Sequence, residues 1–220
     1  MKNPMSTPLK QRNIPQIATF LVLNVLSLTV VAIGLDRVLL LVPHTVTEKF
    51  AFVARAVTIP SILSLSIGLA GWAIPAPWKE ALVFWRTGAT ALPSSKAFTK
   101  LAVRDPRIDV HRLKAHVGAV PREPAKQTAL WYSLYRKHSD NSSVEDAHRA
   151  YLRYREMTAL IPLLLIGCVG FFAWHGGSLR SLAICGALLI SEYLIVLSAA
   201  RNAAIHLVTN VLAIESSSNV

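Results

Sequence analysis

Long apolar stretches separated by short polar segments dominate the pattern along this chain. A helix needs about 20 apolar residues to cross the hydrocarbon core of a bilayer, which is about 30 Å thick. Four stretches approach this length, and they run from about Ile14 to Leu35, Ala51 to Ile74, Met157 to Trp174 and Leu179 to Ala200. The pattern therefore predicts four transmembrane helices, with a tight turn at residues 175–178 joining the last two into an antiparallel hairpin.

The segment between the second and third stretches has helical periodicity. A short helix is predicted around Trp78 and Trp85, whose shared face fits the headgroup region of a membrane. Asp105 precedes a proline as an N-cap residue often does, and Gly118 is typical of a helix end. Together these two residues predict a helix from Arg107 to Val117.

Two further helices are predicted nearer the third stretch. Residues 125–138 place Leu130 and Leu134 at helical spacing. Ser143 and Asp146 resemble a capping box, and because no breaker occurs before the third span, this helix should run on into it. No alternating strand pattern of useful length occurs, so the predicted class is all-α.

These elements predict a polytopic membrane protein with four transmembrane helices and a small helical cytoplasmic domain between spans two and three. The predicted domains are a basic cytoplasmic tail (1–13), transmembrane helices 1 and 2 (14–74), the basic helical cytoplasmic domain (75–156), the transmembrane hairpin of helices 3 and 4 (157–200) and a helical cytoplasmic C-terminal extension (201–220). The first stretch is long for the apolar region of a signal sequence, which favours a retained span.

Composition supports a membrane protein. Hydrophobic residues make up 53% of the 220 positions and charged residues only 16%, against about 25% in soluble domains. This balance excludes a disordered chain, a secreted disulfide scaffold and an ordinary cytosolic enzyme. Cys168 and Cys185 lie inside apolar stretches, where a thiol usually serves as a small packing residue.

The charge that remains is lopsided, with a formal net charge of +11. Basic residues near the ends of spans favour the cytoplasmic side. They occur in the N-terminal tail and on both flanks of the long insert, as Lys2, Lys10, Arg12, Lys79, Arg86, Arg149, Arg153 and Arg155. The predicted location is the bacterial inner membrane, with both termini and the insert in the cytoplasm.

Two polar residues are predicted inside the membrane. A carboxylate such as Glu192 costs at least about 2.5 kcal/mol at the centre of a span, so it should face the bundle interior, a partner subunit or water. Glu192 is thus either a pore-lining or proton-sensitive acid, or a structural polar contact of Asn24, Ser191 or a neighbouring protomer. Arg55 lies near a span end and either reaches the headgroups or pairs with Asp36 or Glu48.

Small residues at four-residue spacing let helix backbones approach closely. We expect such packing, by default within one chain, at Ser64 and Gly68 of span two and at Ala183, Ala187 and Ser191 of span four.

Aromatic and basic residues are interleaved in and around the insert. Anionic lipid attracts such residues, and so does nucleic acid through phosphate neutralisation and base stacking. Lipid or a protein partner is the favoured reading over nucleic acid. The candidate contact residues are Trp78, Trp85, Arg86, Trp131, Tyr135, Arg136, Lys137, Arg153 and Arg155.

Signals for catalysis are weak. Arg201 and His206 match the R-N-x-x-x-H motif of HEPN ribonucleases, but Arg and His are frequent enough here for one such match to arise by chance. No protease, nucleotide-binding or hydrolase motif occurs, and no pattern predicts a metal or cofactor. The weak catalytic candidates are therefore Arg201 and His206 alone, and we expect a non-enzymatic protein without cofactors.

In size, span number and basic insert the chain resembles the small four-span membrane proteins of bacterial anti-phage systems, such as Kiwa, CBASS and the type VI CRISPR accessories. The last also share the R-x4-H element of Arg201 and His206. The resemblance implies a homo-oligomer that alters inner-membrane permeability or recruits a cytoplasmic protein upon infection. Three hypotheses follow: a membrane protein whose cytoplasmic domain senses a signal or partner and whose spans respond, a membrane anchor that docks a soluble effector, and an R-x4-H ribonuclease.

Overall fold

The computed structural model of the protein describes residues 8–9, 11–33, 62–88, 90–175 and 178–218. Within these ranges the chain is helical and contains no β-strand, which confirms the all-α class. The main helices are α1 (Ile14–Ile33), α2 (Ile62–Ala73), α3 (Ala76–Phe84), α4 (Val110–Val117), α5 (Pro124–His138), α6 (Ser142–His175) and α7 (Leu179–Ser217). Between α3 and α4 lie a 3₁₀ turn (Pro93–Lys96), a π-helical turn (Ala97–Leu101) and a short α-helical turn (Ala102–Arg104).

Three helical segments are long and apolar enough to cross a membrane: Gln11–Val31, Ser142–Trp174 and Leu179–Ser217. They identify a chain suited to a bilayer rather than to water. The structure describes the predicted second span only from residue 62 onward, where helix α2 lies. Residues 51–61 of that span, including Arg55, lie outside the described residues, as do Asp36 and Glu48.

The described residues form two compact units. The first comprises those within Met1–Asn13, Pro75–Arg155 and Leu197–Val220, and the second those within Ile14–Ile74 and Glu156–Val196. Helices α6 and α7 each supply residues to both units.

The core of the first unit is built on the C-terminal part of α7. Its buried side chains, among them Leu207, Val211 and Leu212, pack with Phe98 of the π-helical turn and Leu134 of α5. Buried residues of the predicted C-terminal extension thus pack against the insert.

The end of the N-terminal tail also belongs to the first unit. Asn13 is 1% exposed, and its side-chain amide donates to the carbonyl oxygen of Arg149 at 2.8 Å. Arg12 forms an ion pair with Glu145. A tail predicted as a separate basic segment thus ends in specific contacts with α6.

Two helix starts differ from their predicted positions. The carboxylate of Asp105 accepts from the Arg107 side chain at 2.7 and 3.0 Å. Helix α4 begins only at Val110, and the Asp109 carboxylate accepts from the backbone amides of His111 and Arg112. Helix α6 begins at Ser142, with Asn141 accepting from the amide of Ser143 in place of the predicted capping box. At both starts the free backbone N–H groups are bound by an Asp or Asn side chain other than the predicted cap, Asp109 for α4 and Asn141 for α6.

The second unit contains two close approaches between helices. A Cβ atom at Gly68 would lie 3.4 Å from Leu21 of α1, and one at Gly71 would lie 2.4 Å from Leu160 of α6. Cys168 and Cys185 are buried free thiols, as expected for packing residues.

Candidate functional site

The structure brings Asn24 and Glu192 together. The side-chain amide of Asn24 in α1 donates to Oε1 of Glu192 in α7 at 3.0 Å, and it also donates to the carbonyl oxygen of Phe20. Both side chains are half-buried. The carboxylate therefore has a neutral hydrogen-bond partner within the apolar part of the chain, where burial without one would be costly.

The two predicted packing strips differ in the structure. Ser64 is buried and Gly68 meets Leu21, so this strip of α2 lies against α1. Ala183, Ala187 and Ser191 are exposed, and the Ser191 hydroxyl donates only to the carbonyl of Ala187 in its own helix. The described residues therefore do not cover these three side chains, and packing of this strip stays a prediction.

Two predicted surface residues belong to the core instead. Trp131 is 9% exposed, and its indole N–H donates to the carbonyl of Val208 at 3.4 Å. Arg155 is equally buried, with a guanidinium nitrogen 3.7 Å from a carboxylate oxygen of Glu80. Trp131 shares its helix face with core residue Leu134, so the same spacing that suggested a contact surface marks the interior.

The remaining predicted contact residues are exposed, or contact other side chains of the first unit, or both. Trp78, Trp85, Arg86 and Arg136 are exposed. Three others have partners within the first unit: the hydroxyl of Tyr135 lies 2.8 Å from Nδ1 of His148, the guanidinium of Arg153 lies over the ring of Tyr154, and Lys137 binds Glu215.

Glu215 is the centre of a buried polar cluster near the chain end. Its carboxylate is 4% exposed and accepts from Lys137 at 3.0 Å and lies 2.5 Å from Nε2 of His138. Nδ1 of His116 lies 2.8 Å from the Glu215 carbonyl oxygen. Burial acts to raise the pKa of this carboxyl, but the hydrogen bonds from His138 and Lys137 outweigh it and lower the pKa.

A small cavity of about 260 Å³ in the first unit is bordered by titratable side chains. Burial raises the pKa of Glu80 against the opposing charge of Arg155, and burial lowers the pKa of His148. Burial also raises the pKa of Tyr151 to about 12. Burial is the largest cause of each of these three shifts.

A larger cavity of about 660 Å³ lies at the end of α3 and has a basic lining. We call it the basic pocket and define it by Trp85, Arg86, Lys96, Lys100, Arg104 and Arg201. No carboxylate is among its described lining residues.

The local geometry explains how Arg201 reaches this pocket. Helix α3 ends at Phe84, and Trp85 follows in the left-handed region with φ 53°. Nε of Arg201 donates to the free carbonyl of Val83 at 2.7 Å, and its guanidinium carbon lies 4.7 Å from the centre of the Trp85 ring. Arg201 thus caps the C-terminus of α3, where a cation is favourable, and stacks on Trp85, the residue that follows this helix.

Sequence reasoning missed Lys96, Lys100 and Arg104. The signal was present, because cations at four-residue spacing fall on one helical face. The sequence from Ser94 to Val103 could form a short helix, but it folds as consecutive 3₁₀, π and α turns, so the spacing alone does not place these cations.

The structure does not assemble Arg201 and His206 into one site. They are five residues apart on α7, about 140° around the helix. Arg201 lines the basic pocket, whereas His206 is exposed and is not part of that lining.

No group of three or more metal-binding side chains with suitable geometry occurs among the described residues. Comparison with known protein families, with curated proteins and with solved structures gave no match to this chain.

Proposed function

We propose that this chain is a non-enzymatic, homo-oligomeric protein of the bacterial inner membrane. Its helical domain senses a signal or partner in the cytoplasm, and its spans alter membrane permeability in response. The observation that supports this proposal most directly is the hydrogen bond between Asn24 and Glu192, each within a helix long and apolar enough to cross a membrane. Carboxylates in such helices commonly mark ion or proton paths.

The proposed topology has four spans, with both termini and the insert on the cytoplasmic side. The three long apolar helices support three of these spans, and the apolar stretch from Ala51 to Ile74 supplies the fourth. The basic residues that flank the insert favour the cytoplasmic side.

Two features support an oligomer that responds as a unit. The small residues Ala183, Ala187 and Ser191 are exposed on α7, as expected of a face that packs against a second copy within the membrane. Helices α6 and α7 each extend from one compact unit into the other without a break, which gives a covalent route between sensing and response. By its layout we propose an anti-phage defence role, in which permeability changes upon infection.

Ion flux through reconstituted protein tests the conducting role of Glu192. We expect Glu192→Gln to retain the hydrogen bond from Asn24 while removing the charge, and to lower cation flux by about tenfold, since one buried charge–ion contact contributes on the order of 1.4 kcal/mol or more. The measurement is dye-monitored flux in proteoliposomes at equal protein density.

The matched control is Ser66→Ala in α2, which removes only a hydroxyl that donates to the carbonyl of Ile62 in its own helix. Its flux should equal that of the wild type. Unchanged flux in Glu192→Gln, or absence of flux through the wild type, would contradict the conducting role.

A membrane anchor that docks a soluble effector is the second candidate. Its support is the exposed side of α5, where Tyr132 is 53% exposed and the guanidinium of Arg136 lies over its ring at 5.4 Å. An anchor should co-purify with a stoichiometric partner and conduct nothing, so the flux measurement separates the two candidates.

A further inference from the structure

We propose that the basic pocket binds a phosphate-bearing ligand. Its cations come from three parts of the chain that are distant in sequence: Arg86 follows α3, Lys100 lies in the π-helical turn, and Arg201 lies on α7. Proximity to a membrane surface would account for scattered basic residues, but it does not account for their convergence around one cavity of about 660 Å³.

The positive charge in the pocket has no counter-charge in the described part of the chain. None of its five cationic side chains forms an ion pair there, although ion pairs occur elsewhere in the same unit, as between Lys126 and Glu123. Lys96, Lys100 and Arg104 line the same cavity, and like charges placed in this way repel one another. An anion in the pocket would relieve this repulsion.

Phosphate is the anion whose chemistry matches the lining best. It has up to two negative charges and several acceptor oxygens, which lysine ammonium and arginine guanidinium groups bind together. The uncharged side of the pocket is apolar and includes Leu92, Leu101 and Ile205, and the indole of Trp85 is 63% exposed. The ligand should therefore combine a phosphate with an apolar or aromatic portion, a combination found both in free nucleotides and in phospholipid headgroups with their glycerol backbone.

The backbone around the pocket is irregular where the cations are placed. Trp85 is the described non-glycine residue with positive φ, and residues 97–101 form a π-helical turn. Both conformations are costly and occur preferentially at functional sites. Here they orient Trp85 and Lys100 toward the same cavity.

The role of the pocket as the site that receives the signal rests on the proposed function. Ligand binding can be measured separately, because it requires no ion flux. Calorimetric titration of the full chain in a non-ionic detergent measures binding alone. The probes are inorganic pyrophosphate, ATP and dihexanoyl phosphatidic acid, with dihexanoyl phosphatidylcholine as the comparator that has no net charge.

The pocket variant is Lys100→Gln/Arg104→Gln, and the matched control is Lys114→Gln/Arg122→Gln. All four residues are exposed, and each pair removes one lysine and one arginine, but only the first pair lines the pocket. We expect the pocket variant to raise the dissociation constant by about tenfold or more, since each lost charged contact contributes roughly that factor. The control variant should change the dissociation constant by less than about twofold.

Pocket-dependent binding of ATP or pyrophosphate would identify a soluble ligand, and pocket-dependent binding of phosphatidic acid alone would identify a lipid headgroup. Equal weakening in both variants, or no binding of any probe by the wild type, would overturn the proposal. A flux defect in Glu192→Gln with no ligand binding would reject the pocket and leave the proposed function standing. Pocket-dependent ligand binding by a protein that conducts no ions would support the pocket and reject the conducting role.

Discussion

Glu215 illustrates how one buried carboxylate can hold the end of a chain in place. It lies near the C-terminus of α7, yet only 4% of its side chain is exposed, and Lys137 and His138 of α5 both contact it. The net lowering of its pKa means that these contacts favour the charged form more than burial disfavours it. The ion cluster therefore stabilises the first unit as long as the carboxylate is ionised.

The stability that Glu215 contributes should disappear in acid. Because its pKa is lower in the folded than in the unfolded state, the contribution is complete above the unfolded value of about 4.3 and is lost as the pH falls through the folded value. We expect Glu215→Gln to lower the unfolding free energy by about 1–3 kcal/mol at neutral pH. The difference in Tm from the wild type, followed by circular dichroism in detergent, should be constant down to about pH 5 and should narrow below about pH 4.

Glu123→Gln is the control, since Glu123 pairs with Lys126 on the surface, where such pairs contribute little. A Tm difference for Glu215→Gln that does not change with pH would show that the charge of Glu215 is not its source.

Sequence reasoning identified several side chains correctly by type and wrongly by environment. Trp131 and Arg155 are residue types that are common on contact surfaces, but both are buried here. Trp131 has the spacing of a core residue, and Arg155 lies opposite Glu80 from another helix. Arg201 attracted attention through a short motif, whereas its structural partner, the carbonyl of Val83, is far away in sequence and leaves no pattern.

Helix α2 packs unusually closely against α6. A Cβ atom at Gly71 would lie 2.4 Å from the Cδ2 atom of Leu160, and Leu160 is 3% exposed, so this side chain has little room to move. Gly71 thus sets the separation of the two helices, as small residues often do between apolar helices.

Gly71→Ala should therefore destabilise the second unit by about 1–3 kcal/mol, the usual effect of overpacking. The same change should cost less in a Leu160→Ala background, because the clashing methyl group is gone. Tm values of the wild type, both single variants and the double variant in detergent measure this coupling.

Gly167→Ala serves as the control on α6, since a Cβ atom there would meet nothing within 4 Å. It should be neutral or slightly stabilising, because alanine favours a helix. Equal costs of Gly71→Ala in both backgrounds would contradict the close contact.

Helices with a strong apolar period were predictable from the sequence, and those fixed by distant partners were not. The run of residues 125–138 follows from spacing, and the passage of α6 up to residue 157 follows from the lack of a breaker before that point. The start of α4 was misplaced because Asp105 binds Arg107, and Arg107 is held in turn by Thr209 and Asn210. The pocket face of Lys96, Lys100 and Arg104 depends on a π-helical turn, for which no sequence signal exists.

The whole chain has the composition of a membrane protein, and the structure adds three helices long enough to span a bilayer. The side of the membrane on which the insert lies depends on its flanking cations, among them Arg149, Arg153 and Lys79. Lys79 is only 1% exposed, so flanking charge alone does not describe its environment.

Reporter fusions test the proposed topology. Green fluorescent protein fused after Lys114 or after Val220 should fluoresce, and alkaline phosphatase at the same positions should be inactive, because basic flanks favour a cytoplasmic insert and C-terminus. An active phosphatase at either position would contradict the four-span topology, and a fusion after Met1 provides the matching test for the N-terminus.

The stacking of Arg201 on Trp85 has an optical consequence. Indole emission responds to nearby charge, and the guanidinium carbon lies 4.7 Å from the centre of this ring. An anion that draws the guanidinium away would shift the emission wavelength of this one chromophore. If the pocket binds the proposed anion, this shift would report its occupancy in the unlabelled protein, and Trp85→Phe would abolish the shift while the other tryptophans still emit.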